Sequence, residues 1–492
     1  MAEAKITIVK PKVYFRADAN TKIGYGHITR CLALAYMLRD YFHCIFLVQA
    51  PSNDLKQLIE SDFSVIALPA SADLLEEAQI TVKEFLNEGD IIVIDHYGIK
   101  TDYQRILKQG KSALVCIDDL HEFHFVADAV INHAGNTSPD DYSVEPYTQL
   151  LLGTHYALLR PPFIEAAQKT RSIQSIKTVF VCFGGSDQFN LSKKVTEACL
   201  KLPNFKKIHV VLGTAYPFYE DFTNFVAQND TISLHQNLNA EQMVRLMEQC
   251  DLAIVPSSNI SYEICAVGLL LITGYYVGNQ KNIYQYLTKN KLAFGADNFE
   301  NIEEDISHYV SQEYRSQDYL KNQRRYFNGR IKKNFLNAFL SFIIKIRQAT
   351  LEDMQLYFEW TNDEAVRANS FNSAPITWES HQQWFKKKCE DKNCYFFVFE
   401  YGQIPIGQVR IQINDQEKGL INYSIDKKFR GLGLGKILIR DATQKIQDLR
   451  GKIVLVAKVK PENISSNKIF SSLGFTQSSE EDTYVYTLAL SQ

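Results

Sequence analysis

The sequence has 492 residues, 46% of them hydrophobic, and its length suggests about three domains, each able to bury a core of its own. Its formal net charge is −3, so there is no general electrostatic reason to expect nucleic acid or an anionic membrane as a partner. The longest apolar run, AVGLLLI, is far shorter than the ~18 residues of a membrane span, so we expect no transmembrane helix.

Residues 12–158 alternate short apolar runs with stretches of helical pattern. The runs, such as CIFLVQ, DIIVIDHY and ALVCIDD, are apolar at nearly every position. Strands that are apolar on both faces, with helices between them, are typical of a parallel doubly wound sheet. We therefore predict an α/β fold that opens with a Rossmann-like domain at 12–158.

The same alternation starts again in residues 159–340, with the runs KTVFVCFGGSD, DLAIVPSS and LLLITGYY. It predicts a second Rossmann-like domain, closed by an amphipathic helical segment that begins near Asp318. The two prolines of RPPF cannot continue a helix or a central strand, so they predict a hinge between the domains. Because open α/β sheets bind ligands at the carboxyl ends of their strands, we expect the site in the cleft between these two domains.

Residues 345–492 follow a different pattern. A helical opening around LEDM is followed by two neighbouring strands joined by EYGQIP, by a third strand after DQEKG, and then by a helix. Adjacent strands without a crossover helix predict a mixed α+β domain rather than another parallel sheet.

His27 stands where a predicted strand and a glycine-bearing loop lead into a helix, in KVYFRADANTKIGYGHITRCLALAYML. Apolar residues recur from Ile28 at helical spacing, so the helix should begin at about His27. Gly24 and Gly26 let the backbone turn tightly and approach a ligand closely. The positive end of the helix dipole disfavours the imidazolium, and a neutral imidazole can accept a proton at pH 7. From these residues alone, His27 is equally well explained as a helix cap or as a packed residue between domains.

Two short polar segments within 159–340 have the composition of phosphate-binding loops. One follows a predicted strand and the other precedes a predicted helix, where backbone N–H groups bind anions. A tight turn and helix N-caps explain the same residues. No G-x-x-x-x-G-K-[ST] motif is present, which excludes a P-loop NTPase. The two segments consist of Gly184, Gly185, Ser186, Ser257, Ser258 and Asn259.

The run RADANTKIGYGHITRCLALA resembles the opening signature of the UDP-sugar hydrolases of pseudaminic acid biosynthesis. Further motifs similar to that family, VIDHYGI, GTHYALLRPPF, CFGGSD, SSNISYEICAVGL and GNQ, follow in the same order over residues 12–330. The family has two Rossmann-like domains in the GT-B arrangement. It hydrolyses UDP-2,4-diacetamido-2,4,6-trideoxy-β-L-altropyranose to UDP and the free sugar with inversion. The resemblance implies that His27 is the general base of that reaction.

The resemblance also implies a set of substrate-binding residues. Glu263 resembles the acidic residue that GT-B enzymes place on the ribose hydroxyls of UDP. Asp95, His96 and Tyr97 end a predicted strand that faces the cleft, and of these we assign Tyr97 to the sugar. The remaining predicted substrate-binding residues are Arg16, Asp18, Gly24, Gly26, Asn279 and Gln280.

The segment SIDKKFRGLGLGKILIRDA carries a glycine-rich loop between a predicted strand and a helix. Lys436 stands where a G-x-G-x-x-G dinucleotide fingerprint needs its last glycine, which excludes that motif. The loop instead resembles the [QR]-x-x-G-x-[GA] loop of GNAT acetyltransferases, whose backbone amides hold the pyrophosphate of CoA. The similarity covers residues 346–488 and includes VKPENISSNKIFSSLGF. It implies a CoA-binding set of Arg430, Gly431, Gly433, Gly435, Lys436, Asn463 and Asn467.

One position departs from the GNAT pattern. Many members of that family carry a tyrosine four residues before a G-F pair, where it acts as the acid toward the leaving thiolate. This chain has Phe470 at that position. The resemblance therefore leaves open whether the acetyltransferase domain is active.

Together the two resemblances predict a bifunctional enzyme of pseudaminic acid biosynthesis. It would hydrolyse the UDP-sugar and would N-acetylate its 4-amino precursor, with acetyl-CoA as cosubstrate and without a metal. Nine cysteines, mostly in apolar runs and without a C-x-x-C pair, indicate reduced thiols and a cytoplasmic location. Two alternatives are a GT-B glycosyltransferase that uses a UDP-sugar and a non-catalytic scaffold that binds one.

Overall fold

The computed structural model describes residues 10–19, 25–71, 73–311 and 316–490. The chain divides into two compact units, of which the first is Pro11–Phe335 and the second contains the residues from Leu336 onward. Within the described ranges, no helix is both long enough and apolar enough to cross a lipid bilayer.

The first unit opens with a parallel sheet of seven strands. These are β1 (Lys12–Ala17), β2 (His43–Gln49), β3 (Ser64–Leu68), β4 (Ile91–Asp95), β5 (Ala113–Ile117), β6 (Ala129–Asn132) and β7 (Gln149–Leu152). Their order is β3-β2-β1-β4-β5-β6-β7, so the direction of winding reverses between β1 and β4. The connecting helices are α1 (Gly26–Leu38), α2 (Asn53–Glu60), α3 (Leu74–Glu84) and α4 (Thr101–Leu107). Every residue of β4 is buried, as the sequence IIVID requires of a strand covered on both faces.

A second parallel sheet of six strands follows in the same unit. It consists of β8 (Thr178–Val181), β9 (Lys207–Leu212), β10 (Ile232–Gln236), β11 (Leu252–Pro256), β12 (Leu270–Gly274) and β13 (Phe294–Gly295), in the order β10-β9-β8-β11-β12-β13. The helices of this part are α5 (Pro161–Ala166), α6 (Leu191–Leu200), α7 (Tyr219–Ala227), α8 (Ala240–Glu248), α9 (Asn259–Val267), α10 (Lys281–Lys289), α11 (Ile302–Ser311) and α12 (Ser316–Tyr326). The prediction of two doubly wound, Rossmann-like sheets in series is confirmed.

The two prolines that predicted a hinge begin a helix instead. Pro161 and Pro162 are the first two residues of α5. Proline suits the first turn of a helix because its missing N–H would have no helical partner there and its φ angle is already helical. The chain therefore passes from the first sheet to the second through a helix start.

The second unit contains a mixed sheet with helices packed on it. Helix α13 (Ile331–Ile343) leads into β14 (Ile344–Gln348), and the predicted boundary at residue 340 falls inside this helix. The other strands are β15 (Cys394–Tyr401), β16 (Ile404–Ile413), β17 (Lys418–Ile425), β18 (Ile453–Val459), β19 (Thr476–Glu480) and β20 (Thr483–Leu490). The other helices are α14 (Met354–Asn362), α15 (Glu364–Asn369), α16 (Trp378–Cys389), α17 (Leu434–Arg450) and α18 (Ile464–Ser472).

The strand order of the second unit is β14-β15-β16-β17-β18-β20-β19. All neighbours are antiparallel except β17 and β18, which are parallel and connected by α17. The predicted α+β architecture is confirmed. The GT-B arrangement of the first unit and the domain bounds 12–158, 159–340 and 345–492 stay predictions.

Candidate functional site

The first candidate site lies at the carboxyl edge of the first sheet, beside the reversal between β1 and β4. His27 is the second residue of α1, and Asp95 is the last residue of β4. His27 Nδ1 lies 2.6 Å from Asp95 Oδ1, and both side chains are buried. Because β1 and β4 are neighbours, the helix that follows β1 begins against the end of β4. The pair therefore stands where open α/β sheets bind ligands.

Arg30 lies one turn after His27 on α1 and binds the same carboxylate. Its Nε donates to Asp95 Oδ2 at 2.9 Å and its Nη2 donates to Asp95 Oδ1 at 2.7 Å. Its Nη1 donates to Asp119 Oδ2 at 3.0 Å, two residues beyond β5. Burial alone would lower the pKa of Arg30, but the two carboxylates more than offset it and the pKa is raised. The guanidinium of Arg30 therefore stays charged next to His27, and Asp95 and Asp119 balance its charge.

The contacts of Asp95 indicate which nitrogen of His27 carries the proton. Nδ1 of His27 lies 2.6 Å from the carboxylate and 3.0 Å from Arg30 Nη2. Arg30 Nη2 is closer to Asp95 Oδ1 than to the ring, so we assign Nδ1 as the donor to Asp95. Nε2 is then the basic nitrogen. The arrangement holds the imidazole in one orientation, with Nε2 free of these contacts.

Tyr97 lies against the ring of His27, with the two ring centroids 4.6 Å apart and edge to face. Its hydroxyl donates to Asp119 Oδ2 at 3.2 Å, and 48% of the residue is exposed. Burial of the rest of the residue, followed by the charge of Asp119, raises the pKa of Tyr97, so the phenol stays protonated at neutral pH. The structure thus brings the predicted sugar contact together with His27.

Arg16 corrects the predicted substrate-binding set. The residue is 0% exposed, and its Nε and Nη2 donate to Glu77 at 2.6 and 3.0 Å. Its Nη1 lies 2.7 Å from Asp18 Oδ1. A guanidinium buried between two carboxylates cannot also reach a ligand, so Arg16 positions Asp18 instead. Glu77 stands 61 residues away on α3, and nothing beside Arg16 in the sequence indicated this pairing.

Asp18 forms a second carboxylate–histidine contact at the same edge. Its Oδ2 lies 3.5 Å from Nε2 of His96, the residue that follows β4. The backbone N–H of Gly98 donates to His96 Nδ1 at 2.9 Å, which leaves Nε2 as the N–H that faces Asp18. Burial, followed by the charge of Arg16, lowers the pKa of His96, so the ring is neutral at pH 7.

His133 reaches the same cluster from the end of β6, although the sequence did not single it out. Burial, followed by the charge of Arg30, lowers the pKa of His133 to about 4. The side chain of Asn259 forms a hydrogen bond with it, and the ring of Tyr262 lies edge-on at a centroid distance of 5.9 Å. Both partners belong to α9. His133 therefore links the carboxyl edge of the first sheet to that of the second.

The glycine loop after β8 turns left-handed at Gly184, where φ is +84°. Gly184, Gly185 and Ser186 are exposed. Helix α6 begins further along the chain, however, and Asp187 accepts hydrogen bonds from the N–H groups of its first two residues at 2.9 and 2.8 Å. The predicted phosphate site at this helix start is thus occupied by a carboxylate. A phosphate here would have to be held by the loop itself.

Ser257 is buried, and its polar groups are used inside the protein. Its Oγ lies 2.9 Å from Thr273 Oγ1, and its N–H donates to the last carbonyl of β12 at 2.8 Å. These bonds speak against the predicted phosphate contact of Ser257. Ser258 is the N-cap residue of α9, and Asn259 is its first residue. For these two the predicted contact stays a prediction.

Glu263 is held by Arg160 through both carboxylate oxygens, at 2.8 and 2.9 Å. Burial raises the pKa of Glu263, and the charge of Arg160 opposes that shift. Arg160 precedes α5, so the ion pair ties the segment between the two sheets to α9. Carboxylate oxygens can accept further bonds, and the predicted ribose contact of Glu263 stays a prediction.

The remaining predicted residues of the first unit have local roles or lie elsewhere. Gln280 Oε1 accepts from the backbone N–H four residues earlier at 3.1 Å, and Asn279 belongs to the same short turn after β12. Gly24 lies outside the described residues. Gly26 is the first residue of α1, and a Cβ placed on it would meet none of the described atoms within 4 Å. The local conformation of Gly26 therefore does not require glycine.

The second unit carries the other candidate site, at the loop between β17 and α17. Gly431 and Gly433 both have left-handed φ angles, +81° and +85°, which glycine adopts without strain. Gly433 is the N-cap residue of α17, whose first N–H groups point toward the loop. Gly435 has a packing role instead, because a Cβ there would lie 2.6 Å from Ile469 Cδ1. Lys436 follows and is exposed.

Arg430, Asn463 and Asn467 surround this loop and are bonded to the protein. Arg430 Nε donates to the last carbonyl of β17 at 2.8 Å, and its Nη2 pairs with Asp363 at 2.8 Å. Asn463 caps α18, and Asn467 Nδ2 donates to two backbone carbonyls at 3.2 and 3.1 Å. Asn467 Oδ1 is buried without a hydrogen-bond partner among the described residues, which leaves one acceptor for a ligand. The predicted CoA contacts of all three residues stay predictions.

Strands β17 and β18 separate beside the loop. They pair only from Lys418 to Leu420, although β17 continues to Ile425. The far end of β17 thus has no strand partner on that side within the described part of the chain. An extended ligand with amide groups can pair with such an edge. Tyr423 lies on this stretch, and its hydroxyl is 2.8 Å from Ser466 Oγ.

Comparisons with known proteins follow the same division. Residues 344–476 match the family model described as an acetyltransferase (GNAT) domain. An uncharacterized protein of Methanocaldococcus jannaschii is 25% identical over 97% of this chain and 100% of its own length. The UDP-2,4-diacetamido-2,4,6-trideoxy-beta-L-altropyranose hydrolase of Campylobacter jejuni is 27% identical over 56% of this chain and 96% of its own length. Spore coat polysaccharide biosynthesis protein SpsG of Bacillus subtilis is 24% identical over 51% of this chain and 74% of its own. The C-terminal part of this chain is therefore a GNAT acetyltransferase domain, and the chain as a whole fits the fusion of a relative of UDP-sugar hydrolases with that domain.

Proposed function

We propose that the protein is a bifunctional enzyme of pseudaminic acid biosynthesis. The first unit hydrolyses UDP-2,4-diacetamido-2,4,6-trideoxy-β-L-altropyranose to UDP and the free sugar with inversion. The second unit N-acetylates the 4-amino precursor of that sugar with acetyl-CoA. The observation that carries the hydrolase is the buried His27–Asp95 pair at the carboxyl edge of the first sheet.

In the proposed hydrolysis, Nε2 of His27 takes a proton from a water molecule. The water oxygen forms a bond to the anomeric carbon from the side opposite the diphosphate. The bond between this carbon and the diphosphate oxygen breaks, and its electron pair leaves with UDP. Asp95 holds Nδ1 of His27 and stabilises the imidazolium that forms, so Asp95 is a positioning residue.

The departing diphosphate gains negative charge and needs hydrogen-bond donors. We assign that role to the exposed loop Gly184–Ser186 and to the start of α9 at Ser258 and Asn259. Glu263 is assigned to the ribose and Tyr97 to the sugar. The position of Tyr97 beside the His27 ring supports the last assignment.

In the proposed acetyl transfer, the 4-amino group first gives one proton to water, and the neutral nitrogen then attacks the thioester carbonyl of acetyl-CoA. The N–C bond forms, the C–S bond breaks with its electron pair leaving on sulfur, and the nitrogen gives a second proton to water as CoA leaves as a thiolate. A thiol with a pKa of about 8.5 gives a tolerable leaving group, so Phe470 does not rule out turnover. We assign the pyrophosphate of CoA to the loop of Gly431 and Gly433, and its amide arm to the unpaired edge of β17.

Acetylation comes before hydrolysis in this proposal. A free 4-amino group is a cation at pH 7 and would leave groups meant for the acetamido oxygen or methyl unpaired, a loss on the order of 1–3 kcal/mol. The hydrolase should therefore turn over the acetylated sugar faster than its precursor.

The test uses the purified full chain with acetyl-CoA and the UDP-4-amino sugar, with products followed by NMR. We expect the acetylated UDP-sugar first, and then UDP and the free diacetamido sugar. Release of the sugar into water without any acceptor distinguishes a hydrolase from a glycosyltransferase. Binding of the UDP-sugar without turnover would contradict the proposed enzymatic function and support a non-catalytic scaffold.

A further inference from the structure

The acetyltransferase unit contains a cavity of about 440 Å³ away from its glycine-rich loop. The cavity is lined by Tyr357 of α14, Trp384 of α16, Gln408 and Arg410 of β16, and Asn422 of β17. Its volume lies within the range of small-molecule sites. No residue from Arg430 to Lys436 lines it, so it is separate from the predicted CoA loop.

The cavity carries positive charge and no negative charge. Among the described residues that line it, the charged ones are Arg367 and Arg410. Across the described ranges, no carboxylate forms an ion pair with either arginine. The guanidinium of Arg410 lies over the ring of Trp384, with its carbon 5.0 Å from the ring centroid. Burial lowers the pKa of Arg410, because no acid compensates the lost hydration.

Buried charges in folded proteins are normally paired, because an unpaired one loses its hydration without compensation. Arg410 is half-buried, and its Nε is buried without a hydrogen-bond partner in the described part of the chain, which indicates that the missing counter-charge belongs to a ligand. A guanidinium presents planar N–H donors that match the oxygens of phosphate or carboxylate groups.

Three atoms of the lining residues are buried without a hydrogen-bond partner in the described part of the chain. They are Arg367 Nε, Arg410 Nε and Gln408 Oε1. Gln408 is only 4% exposed, and its Nε2 donates to Asn422 and Ser424 at 3.3 and 3.2 Å, which leaves Oε1 free. The cavity thus offers two unused donors and one unused acceptor. A ligand that satisfies all three carries anionic oxygens together with an N–H or O–H group.

The register of the sheet places these groups side by side. Phe396, Arg410 and Asn422 lie opposite one another across β15, β16 and β17. Gln408 is two residues from Arg410 on the same strand, so both side chains stand on one face of the sheet. Strand β17 also carries the unpaired edge assigned above to the amide arm of CoA. An acceptor bound in the cavity and acetyl-CoA bound at that edge would therefore both contact β17.

We propose that this cavity binds the phosphate-bearing part of the acceptor, so that the acetyltransferase unit selects an amine carried on a nucleoside diphosphate sugar. The proposal rests on the function proposed above and names the residues that recognise its substrate. Arg410 and Arg367 bind the diphosphate oxygens, and Gln408 Oε1 accepts from a hydroxyl or amino group. The same two charges repel a polycationic acceptor such as a polyamine.

A binding test can isolate this cavity, because the three tryptophans of the chain, Trp360, Trp378 and Trp384, all lie in the second unit. Selectively excited tryptophan fluorescence therefore reports on this unit even if the first unit also binds phosphate. The full chain is titrated with inorganic pyrophosphate in saturating CoA, which occupies the glycine-rich loop. We expect saturable binding that Arg410→Gln weakens by on the order of tenfold or more. The matched control is Arg440→Gln, an exposed arginine on α17. Equal affinity in the two variants, or no saturable signal in the wild type, overturns the proposal.

A kinetic test compares the 4-amino sugar with and without its UDP group. Arg410→Gln should raise KM for the UDP-linked sugar by on the order of tenfold, with less effect on the free sugar. An unchanged KM for acetyl-CoA shows that the variant is folded. Arg410→Lys keeps the charge but not the planar donors, so its KM for the UDP-linked sugar should lie between those of the wild type and Arg410→Gln.

The two tests separate the inference from the function on which it rests. Pyrophosphate binding that depends on Arg410, in a protein that acetylates no UDP-linked sugar, supports the anion site and overturns the proposed acceptor. Acetylation of the UDP-linked sugar that Arg410→Gln leaves unchanged overturns the anion site and supports the acetyltransferase. Equal KM values for spermidine and for the UDP-linked sugar would overturn the proposed selectivity.

Discussion

Each unit of the protein shields an arginine from solvent: Arg30 is buried, and Arg410 is half-buried with a buried Nε. The two charges are compensated in opposite ways. Arg30 donates to Asp95 and Asp119, and these carboxylates raise its pKa in spite of burial. Arg410 forms no ion pair with a described carboxylate, and burial lowers its pKa. In the first unit, the fold supplies the counter-charge, so His27 is oriented before any ligand arrives. In the second unit, the counter-charge is left for a ligand to bring.

The sharpest test of this comparison removes each arginine in turn. Arg30→Met leaves Asp95 and Asp119 without their cation and should lower the free energy of unfolding of the first unit by about 3–5 kcal/mol. Arg410→Met removes a charge that nothing compensates and should lower the free energy of unfolding of the second unit by less than about 1 kcal/mol. Urea unfolding of the full chain followed by circular dichroism reports both units, and tryptophan fluorescence reports the second alone. Equal losses in the two variants would contradict the comparison.

The second test uses pH, because the cluster of His27, Arg30 and Asp95 in the first unit also includes the buried His133. Its pKa is about 4, against an ordinary 6.5. Above pH 6.5 the ring is neutral in both states. As pH falls from 6.5 to 4, the unfolded chain takes up a proton that the folded chain does not, so the free energy of unfolding should fall by roughly 3 kcal/mol.

His133→Gln should remove that part of the acid sensitivity, and His43→Gln, at an exposed position, is the matched control. Unfolding is followed by circular dichroism above pH 6.5 and near pH 4. A variant that keeps the full pH dependence of the wild type would show that His133 is protonated in the folded protein.

The sequence predicted the fold well because its signals were local and strong. Strands β4 and β11 are buried at every residue, and their apolar runs are the kind that only a doubly covered sheet requires. The start of α1 beside His27 followed from helical periodicity in the same way. The hinge prediction was less successful, because proline residues suit a helix start as well as an irregular turn.

The site was only partly predictable, because strand order rather than sequence distance assembles it. Asp119 and His133 follow β5 and β6, and they come close to Arg30 because β5 lies next to β4 and β6 lies next to β5. The polar residues in ALVCIDD and AVINHAG were the sequence signal that could have identified Asp119 and His133. Arg16 and Ser257 were assigned to substrate because they belong to recognisable motifs. Their partners Glu77 and Thr273 are distant in sequence. The residues next to Arg16 and Ser257 therefore do not indicate that these two side chains are buried and bonded inside the protein.

His27→Ala should lower kcat of sugar release by on the order of 10²-fold or more, because it removes the proposed general base. Acetyl transfer by the second unit should be unchanged. UDP release and CoA release are measured separately in the same preparation, with His43→Ala as control. Sugar release that survives in His27→Ala would remove the basis of the proposed hydrolase.

Gly433→Val should raise KM for acetyl-CoA by on the order of tenfold, because a β-branched residue is strained at a φ of +85° and fills space beside the loop N–H groups. Gly402→Val is the matched control, since Gly402 also has a positive φ, +61°, but lies in the turn between β15 and β16. The two variants should lose similar stability. Only a selective loss of acetyl-CoA affinity in Gly433→Val supports the loop as its binding site.

The smallest expected effect comes from restoring the tyrosine that the GNAT pattern contains. Phe470 is buried, with its ring stacked on Tyr486 at a centroid distance of 5.5 Å and against Phe475 at 5.2 Å. Ser466 lies one turn earlier on α18, and its Oγ is bonded to Tyr423. A hydroxyl at position 470 would therefore enter a packed aromatic cluster. If CoA leaves as a thiolate, Phe470→Tyr should change kcat by less than about threefold.

Phe371→Tyr is the control for this change, because it adds the same hydroxyl to a side chain that is 61% exposed. CoA release is followed with the UDP-4-amino sugar as acceptor. A wild type that binds acetyl-CoA but transfers nothing, and that gains on the order of 10²-fold in rate on Phe470→Tyr, would show that the unit lacks its acid. In that case the cavity around Arg410 would be a binding site that the chain has kept after losing the chemistry beside it. Transfer by the wild type that Phe470→Tyr barely alters would instead show that positioning of the two substrates on β17 is sufficient for the reaction.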